Sequence, residues 1–412
     1  MKHRSATMAD APLPLEEARS RMRELVTAVV DAEAVPLAQL TGRILAEPVH
    51  AAADLPAADC SAMDGYALRH ADLACGSGLS VVGTALAGAP FAGAIAPGTC
   101  VRITTGALLP VGADTVVIQE DVERSGDGIR LGAVPPAAGA NVRRAGEELR
   151  RGELLLPAGR RLGAIEIGVL AGQGLAQVAV RRRLEVALLA SGDELRPPGT
   201  LLAPGEIHES NRHVLAAMLG LLGVAVRDLG IVRDDPDALR AAFREAATAD
   251  LVISCGGASV GEADYTLEIL RELGEVAFWK VAIKPGKPFL FGRLGTALVC
   301  GLPGNPVSAL VTFHQLAVPL IRGLQGADDP EPLRLRARTT EPLRRNRTRL
   351  ELLRGRLEPG ADGEHQVVPD PQQSSAAFAA LARCDAFILV PAGSGVIAAG
   401  EWVDVLPFDA LL

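Results

Sequence analysis

Apolar positions along the chain recur at three and four residues in some stretches and alternate or run together in others. In residues 14–31, Leu15, Ala18, Met22, Leu25, Val26 and Val29 follow the three-and-four spacing, which predicts an amphipathic helix. Residues 36–53 are read as a continuation of that helical unit. Residues 79–144 change to short apolar segments broken by glycine and proline, the pattern of a β-rich domain. Residues 141–174 return to helical periodicity and are read as rejoining the N-terminal unit. From 184 to about 325, strand-like runs alternate with helical ones. In residues 234–249, Asp235 is suited to the N-cap and Pro236 to the first turn. Beyond about 328 the helical signal fades into short β segments, a small barrel or sandwich. The predicted fold class is therefore multidomain α/β and β. It has a central three-layer α/β domain with a mostly parallel sheet (184–327), a β-rich second domain (54–144), a discontinuous helical N-terminal domain (1–53 with 145–183) and a C-terminal β-barrel (328–412).

Residues 250–308 form the stretch the rest serves. Apolar runs at 251–254, 281–283 and 297–300 are short and β-branched, as buried strands are. Two of them break into glycine-rich turns before a helical pattern, where backbone N–H groups and a helix N-terminus favour an anion. Open α/β sheets place ligands at such strand ends.

Composition narrows the classes. The 412 residues are 49% hydrophobic and 22% charged, which excludes wholesale disorder. A net charge of −8 argues against a nucleic-acid binder. No apolar run approaches the roughly 20 residues of a membrane span, and the first residues lack a signal-peptide core, so no membrane partner and a cytoplasmic location are expected. The six cysteines form no C-x-x-C pair, which removes the usual zinc and disulfide signatures. Cys255 and Cys300 read as small core residues. His208 and His213 are five apart, on different faces of a helix.

Of 41 basic residues only four are lysine, and Lys280, Lys284 and Lys287 cluster beside the central strands. A chain that otherwise uses arginine and keeps lysine here has a use for a compact point charge; the alternative is a solvated patch on a hairpin. The alternating arginines between 334 and 349 read as a solvated strand face. Gly256 to Gly261 has the frame of a phosphate-binding P-loop, but Glu262 stands where its lysine belongs. Gly393-Ser394-Gly395 has too little chain after it for a dinucleotide-binding unit. There is no G-x-S-x-G. What survives is a set of carboxylates in small-residue loops, Asp64, Glu148, Glu194, Asp234, Glu262 and Asp264. Singly each reads as a turn former or helix cap. Together with lysines and glycine turns they suit a hard cation such as Mg²⁺ beside an oxyanion.

Six motifs stand in a fixed order: SAMDGYA (61–67), TGA-LP-GAD (105–114), SGDEL (191–195), GGASVGEAD (256–264), KPGKP (284–288) and LPGNPVSA (302–309). In these the chain resembles the MoeA-type molybdopterin molybdenumtransferases, bacterial counterparts of the gephyrin C-terminal domain, from about Leu15 to its end. The resemblance implies Mg²⁺-dependent insertion of molybdate into adenylylated molybdopterin with release of AMP. It also implies a homodimer with a cleft shared between subunits, a separate molybdopterin adenylyltransferase as supplier, and molybdoenzymes or cofactor carriers downstream. Carried over by motif, the resemblance implies catalytic roles for Asp64, Glu194, Asp234, Asp264, Lys280 and Lys284, with Glu194, Asp234 and Asp264 on the metal. It implies cofactor contacts from Thr105, Gly256, Gly257, Ser259, Gly261, Lys287, Pro303, Gly304, Asn305, Pro306, Arg354 and Ser375. The chain departs from the family pattern at Glu148, at Thr104 and in IHESN (207–211), where Glu209 replaces a usual aspartate. Two other readings are a related α/β nucleotide pyrophosphatase or amidase, which has no use for SAMDGYA or LPGNPVSA, and a non-catalytic gephyrin-like scaffold, which has none for the acidic set.

Overall fold

The structure, a computed structural model, describes residues 11–26, 30–75, 78–132, 134–256, 265–328, 333–360 and 363–408. The chain divides into two compact units. One comprises Met1–Ala46, Gly159–Ala164 and Gln177–Leu412, the other Glu47–Ala158 and Ile165–Ala176.

The first unit is built on a six-stranded sheet: β1 (Glu185–Ser191), β2 (Ala225–Val232), β3 (Leu251–Cys255), β4 (Glu275–Lys280), β5 (Pro288–Leu294) and β6 (Ala297–Leu302). Their spatial order is β2-β1-β3-β6-β5-β4. The pairs β2–β1, β1–β3 and β3–β6 are parallel, and β5 is antiparallel to both its neighbours. Alternate side chains of β1 enter opposite layers. Val186, Leu188 and Ala190 pack with the helices Asn211–Leu221 and Pro306–Thr312, whereas Ala187 and Leu189 pack with Pro236–Ala246 and Tyr265–Leu273. Residues 186–190 of the strand are all apolar because both faces are covered. The three-layer reading therefore holds, as does the cap: the Asp235 carboxylate accepts the Ala238 N–H at 2.9 Å, with Pro236 in the first turn.

Four local expectations change, the first being that residues 141–174 hold strands at Val142–Arg143 and Leu154–Leu156 and an α-helix only over Ala164–Gly172. Residues 281–283 are buried but add no strand to this sheet; Ile283–Lys284 pairs instead with Leu350–Glu351 of the C-terminal domain. The N-terminal helix is shorter, Leu15–Glu24, with Leu15, Ala18 and Met22 buried. Residues 36–53 hold no α-helix. Ala32–Pro36 pairs with Gln177–Arg181, and Val49–His50 with Leu154–Leu156. Strand partners more than 100 residues away decide this stretch over its local spacing.

The C-terminal segment is a closed barrel. Leu350–Pro359, His365–Pro369, Leu335–Thr339, Trp402–Pro407 and Ala386–Val390 pair in turn, and the last returns to the first. Closure leaves it without free edges. Arg336 and Arg338 pair with Asp404 and Glu364 and lie over the Trp402 ring, a strand-face use of the alternating arginines.

Pro306–Leu324 runs as one helical stretch of 19 residues with mean hydropathy 1.3, longer than the sequence reading allowed for. Most of its apolar window, 83%, is buried inside the protein, the setting of a core helix. Its middle turn, Phe313–Ala317, is a π-helix, and Arg19 donates to the Gln315 carbonyl there at 2.9 Å. His314 on that turn is buried between Phe313 and Phe387, and burial, helped by Arg322, pushes its pKa down to about 3. An unfolded imidazole titrates near ~6.5. Below that pH the unfolded chain takes up a proton that the folded chain refuses. The stabilisation is thus complete above ~6.5 and lost as the pH falls towards 3, by at most ~1.4 kcal/mol per pH unit. Urea unfolding between pH 6.5 and 4.5 should show a steeper loss for the wild type than for His314→Leu; equal slopes would refute this.

The second unit carries a six-stranded sheet in the order Thr115–Ile118, Gly65–Leu68, Thr99–Ile103, Leu79–Ala85, Gly128–Leu131, Val122–Ser125. Gly65–Leu68 is buried at every position.

Candidate active site

A cavity of about 620 Å³ opens at the carboxyl ends of β1, β3 and β6. The SGDEL turn after β1 contributes Ser191, Gly192 and Glu194, β3 contributes Cys255 and Gly256, and the LPGNPVSA loop contributes Pro303 to Pro306 and Ser308. IHESN brings His208, Glu209 and Asn211, and Asp234 follows β2. Gly256 has φ +92°, and a Cβ there would lie 2.3 Å from the Ser191 carbonyl oxygen. Only glycine lets the two strand ends approach this closely.

The lining is acidic. Glu194, Glu209 and Asp234 reach it, and among the described residues no lysine or arginine does. Burial first, then the negative charge of Asp193, raises the Asp234 pKa above the usual carboxylate range; Glu194 adds to this, against a hydrogen bond with Asp193. Glu209 is 2% exposed. One of its oxygens accepts the Arg212 N–H at 2.7 Å and caps the following helix, while Oε2 has no hydrogen-bond partner. Asn211 donates from Nδ2 to the Gly304 carbonyl at 2.7 Å, tying IHESN to LPGNP, and its Oδ1 is likewise unpaired. The buried Ser191 hydroxyl also lacks a partner.

The lysines stand elsewhere. Lys284 is half-exposed and pairs at 2.5 Å with the buried Glu351 carboxylate of the barrel. Lys280 lies 3.5 Å from the centre of the Trp279 ring, and Lys287 is exposed. The turn that carries them packs on the long helix: Gly286, at φ +107°, leaves 2.7 Å between an added Cβ and the Thr312 methyl. Of KPGKP only Pro288 lines the cavity. The expectation of free N–H groups is also modified. Gly256 N–H donates to Leu302, and Val307 N–H to the Ser375 carbonyl.

Ser375 thus reaches the start of the helix through its backbone, and its neighbour Ala376 lines the cavity. Arg354 holds that loop in place. Its guanidinium, 1% exposed, donates to the carbonyls of Ser374 and Gln372, and it does not line the cavity. Gly257, Ser259, Gly261, Glu262 and Asp264 lie outside the described residues.

In the second unit the register sets Gly65 opposite Ile103, which brings Asp64 to Thr105. One Asp64 oxygen accepts the Thr105 N–H at 2.7 Å and its hydroxyl at 2.9 Å. These bonds, the backbone one foremost, hold the Asp64 pKa below the usual aspartate range. Glu148 is exposed and pairs with Arg143 at 2.9 Å.

Family models match almost the whole chain: the MoeA N-terminal region (domain I and II) over 13–174, a "probable molybdopterin binding domain" over 187–323, and the MoeA C-terminal region (domain IV) over 336–408. The chain belongs to the MoeA family. Its MoeA relatives include the molybdopterin molybdenumtransferase of Haemophilus influenzae, 41% identical over 97% of this chain and all of that one. The protein of that name from a Nostoc species is 38% identical over 91% of this chain and 88% of its own. A crystal structure of a Pyrococcus horikoshii MoeA protein superposes with a TM-score of 0.79 at 33% identity, covering 97% of this chain and 99% of that one. A second from that organism gives 0.83 at 25% identity, covering 96% and 100%.

Beside the MoeA motif residues singled out from sequence, the structure adds Ser191, Asp193, Asn211, Ser308 and Ala376 to the site or its rim. All but Ala376 stand inside or directly beside a quoted motif. Ala376 enters through a loop fixed from the barrel, for which the sequence carries no local signal.

Proposed function

We propose that this MoeA protein inserts molybdenum from molybdate into adenylylated molybdopterin, releasing AMP, in a Mg²⁺-dependent step of molybdenum cofactor biosynthesis. The observation that carries the reading is the acid-lined cavity at the strand ends. An anionic ligand entering it needs a cation, and among the described residues no lysine or arginine lines it. Oxygen donors alone suit Mg²⁺. Among the described residues no three side chains form a ready-made metal group; Glu194 and Asp234 are two such donors, and Asp264, at the end of its motif, would be the third. Bound there, Mg²⁺ would polarise the phosphoanhydride for cleavage.

The chain's own residues do the rest. Burial and the Asp193 charge make Asp234 hold a proton more readily than an ordinary aspartate, so cation binding there weakens as the pH falls. Gly256 sets the close turn of the wall, and Pro303 to Pro306 line the cavity beside it, a Cβ on Gly304 lying 3.8 Å from Gly256 Cα. The reading includes a homodimer in which Asp64 and Thr105 of one subunit serve the cavity of the other. Its support is that this exposed carboxylate and its threonine belong to the second unit and the cavity to the first. A separate adenylyltransferase supplies the substrate. Anaerobic incubation of the protein with adenylylated molybdopterin should release AMP only when molybdate and Mg²⁺ are both present. Release unaffected by chelation of Mg²⁺ would refute the metal dependence.

Lys284 does not line the cavity and pairs with Glu351; the charge for an oxyanion is the further role that the family motif gives it in this reading. Lys284→Ala should lose activity and about 1–2 kcal/mol of stability, because Glu351 is left buried and unpaired. Adding Glu351→Gln should restore the stability without the activity. Lys284→Arg should keep the pair yet lose activity, since a planar, longer head meets an oxyanion differently. Wild-type rates for Lys284→Arg would reduce the lysine to its structural role.

A further inference from the structure

Three residues of the cavity lining each carry a buried polar atom with no hydrogen-bond partner: Glu209 Oε2, Asn211 Oδ1 and Ser191 Oγ. Their residues are 2%, 8% and 5% exposed. A buried polar group without a partner is costly, and sites built to bond a ligand are where such groups persist. None of the three is needed elsewhere. Glu209 caps its helix through its other oxygen, Asn211 ties the loops together through its amide nitrogen, and Ser191 makes no side-chain bond. The Arg212 guanidinium approaches Glu209 only to 3.6 Å, beyond hydrogen-bond reach, and is engaged by Asp228.

We infer that Glu209 and Asn211, with Ser191 beside them, read the pyrimidinone edge of the pterin ring and so set the orientation of the substrate in the cavity. This assignment rests on the function proposed above. The free atoms of these two residues are acceptors, one of them a carboxylate oxygen, and the serine offers a hydroxyl. The matching ligand edge carries adjacent N–H donors next to an acceptor. A pterin has this edge in its 2-amino group, ring N3–H and 4-oxo oxygen. The adenine of the same substrate does not: its single amino group is flanked by ring acceptors, which would face the Glu209 carboxylate. A site that hydrogen-bonds a donor edge discriminates strongly against a ring lacking it, because its own groups are then left unpaired. Glu209 would thus be a specificity-determining residue, one methylene longer than the aspartate of the family pattern.

The test is anaerobic equilibrium binding of molybdopterin, adenylylated molybdopterin and AMP to the wild type, Glu209→Gln, Glu209→Asp and Ser191→Ala, with Tm recorded for each. Glu209→Gln retains an oxygen for the Arg212 N–H, and should weaken both pterin ligands about tenfold to a hundredfold while AMP changes less than about twofold. Glu209→Asp keeps the carboxylate and should rescue most of that loss. Ser191→Ala removes a hydroxyl that bonds nothing in the free protein, so it should fold at least as well as the wild type. It should weaken the pterin ligands alone, by about fivefold. Unchanged pterin binding in Glu209→Gln and Ser191→Ala, or a loss shared equally with AMP, overturns the assignment while the function stands. A wild type that binds neither pterin ligand overturns the function, and the assignment with it.

Discussion

Asp64→Asn should lower kcat by about a hundredfold to a thousandfold, the scale of removing one preorganised charge contact, while Tm moves by no more than about 1–2 °C. The side chain is exposed at the start of a buried strand, and its one native duty is to accept from Thr105. Asparagine keeps an oxygen for that duty and discards the charge. Because the Thr105 bonds hold the pKa of Asp64 low, the wild-type carboxylate stays ionised well below neutral pH. The loss in Asp64→Asn should therefore be constant from about pH 5 upward. Steady-state kinetics alongside thermal melts check this. Full activity per folded molecule with a Tm lowered by many degrees would make Asp64 a turn former only. In a homodimer with shared sites, mixing this variant with Lys284→Ala under subunit exchange should recover part of the activity that neither has alone.

Gly256→Ala should be a strongly damaging small change in the first unit, and one that acts directly on the cavity. Alanine there must hold φ near +92° with its methyl 2.3 Å from the Ser191 oxygen. Positive φ alone costs a non-glycine residue about 1–3 kcal/mol, and the clash is with backbone, which cannot swing aside. The ends of β1 and β3 must part, which widens the cavity wall that carries Glu194. A Tm lower by several degrees, with ligand affinity reduced at least tenfold, is expected from calorimetry and binding. A variant with wild-type melting and affinity would mean that the turn tolerates a side chain and that the closeness of the two strand ends is incidental.

The α/β core was legible because its signals are local. Continuous apolar runs mark strands covered on both faces, and Asp235 with Pro236 starts a helix by its own chemistry. The wall of the cavity was legible for a related reason: strand ends and their turns are contiguous in sequence, so SGDEL, Gly256 and LPGNPVSA announced themselves. What failed was non-local. Residues 36–53 carry helical spacing, yet pair as strands with segments over 100 positions away. Lys284 sat in a conspicuous cluster, but its partner is Glu351, in another domain of the barrel type, and the cluster does not line the cavity. Arg354 fell in a matched position, but only burial reveals that its guanidinium is spent on loop carbonyls. The unpaired atoms of Ser191, Glu209 and Asn211 could not be read from sequence at all, because an unsatisfied group is defined by what surrounds it.

In the function we propose, AMP release is coupled to metal insertion and is not simple hydrolysis of the anhydride. The measurement that tests it most directly is the ratio of AMP released to molybdenum delivered. Protein, adenylylated molybdopterin, molybdate and Mg²⁺ are incubated anaerobically with an apo-molybdoenzyme as acceptor, and AMP and reconstituted activity are followed together. About one AMP is expected for each molybdenum centre formed, and almost no AMP when molybdate is withheld. AMP released at the same rate without molybdate, with no acceptor activated, would contradict it and leave a nucleotide pyrophosphatase.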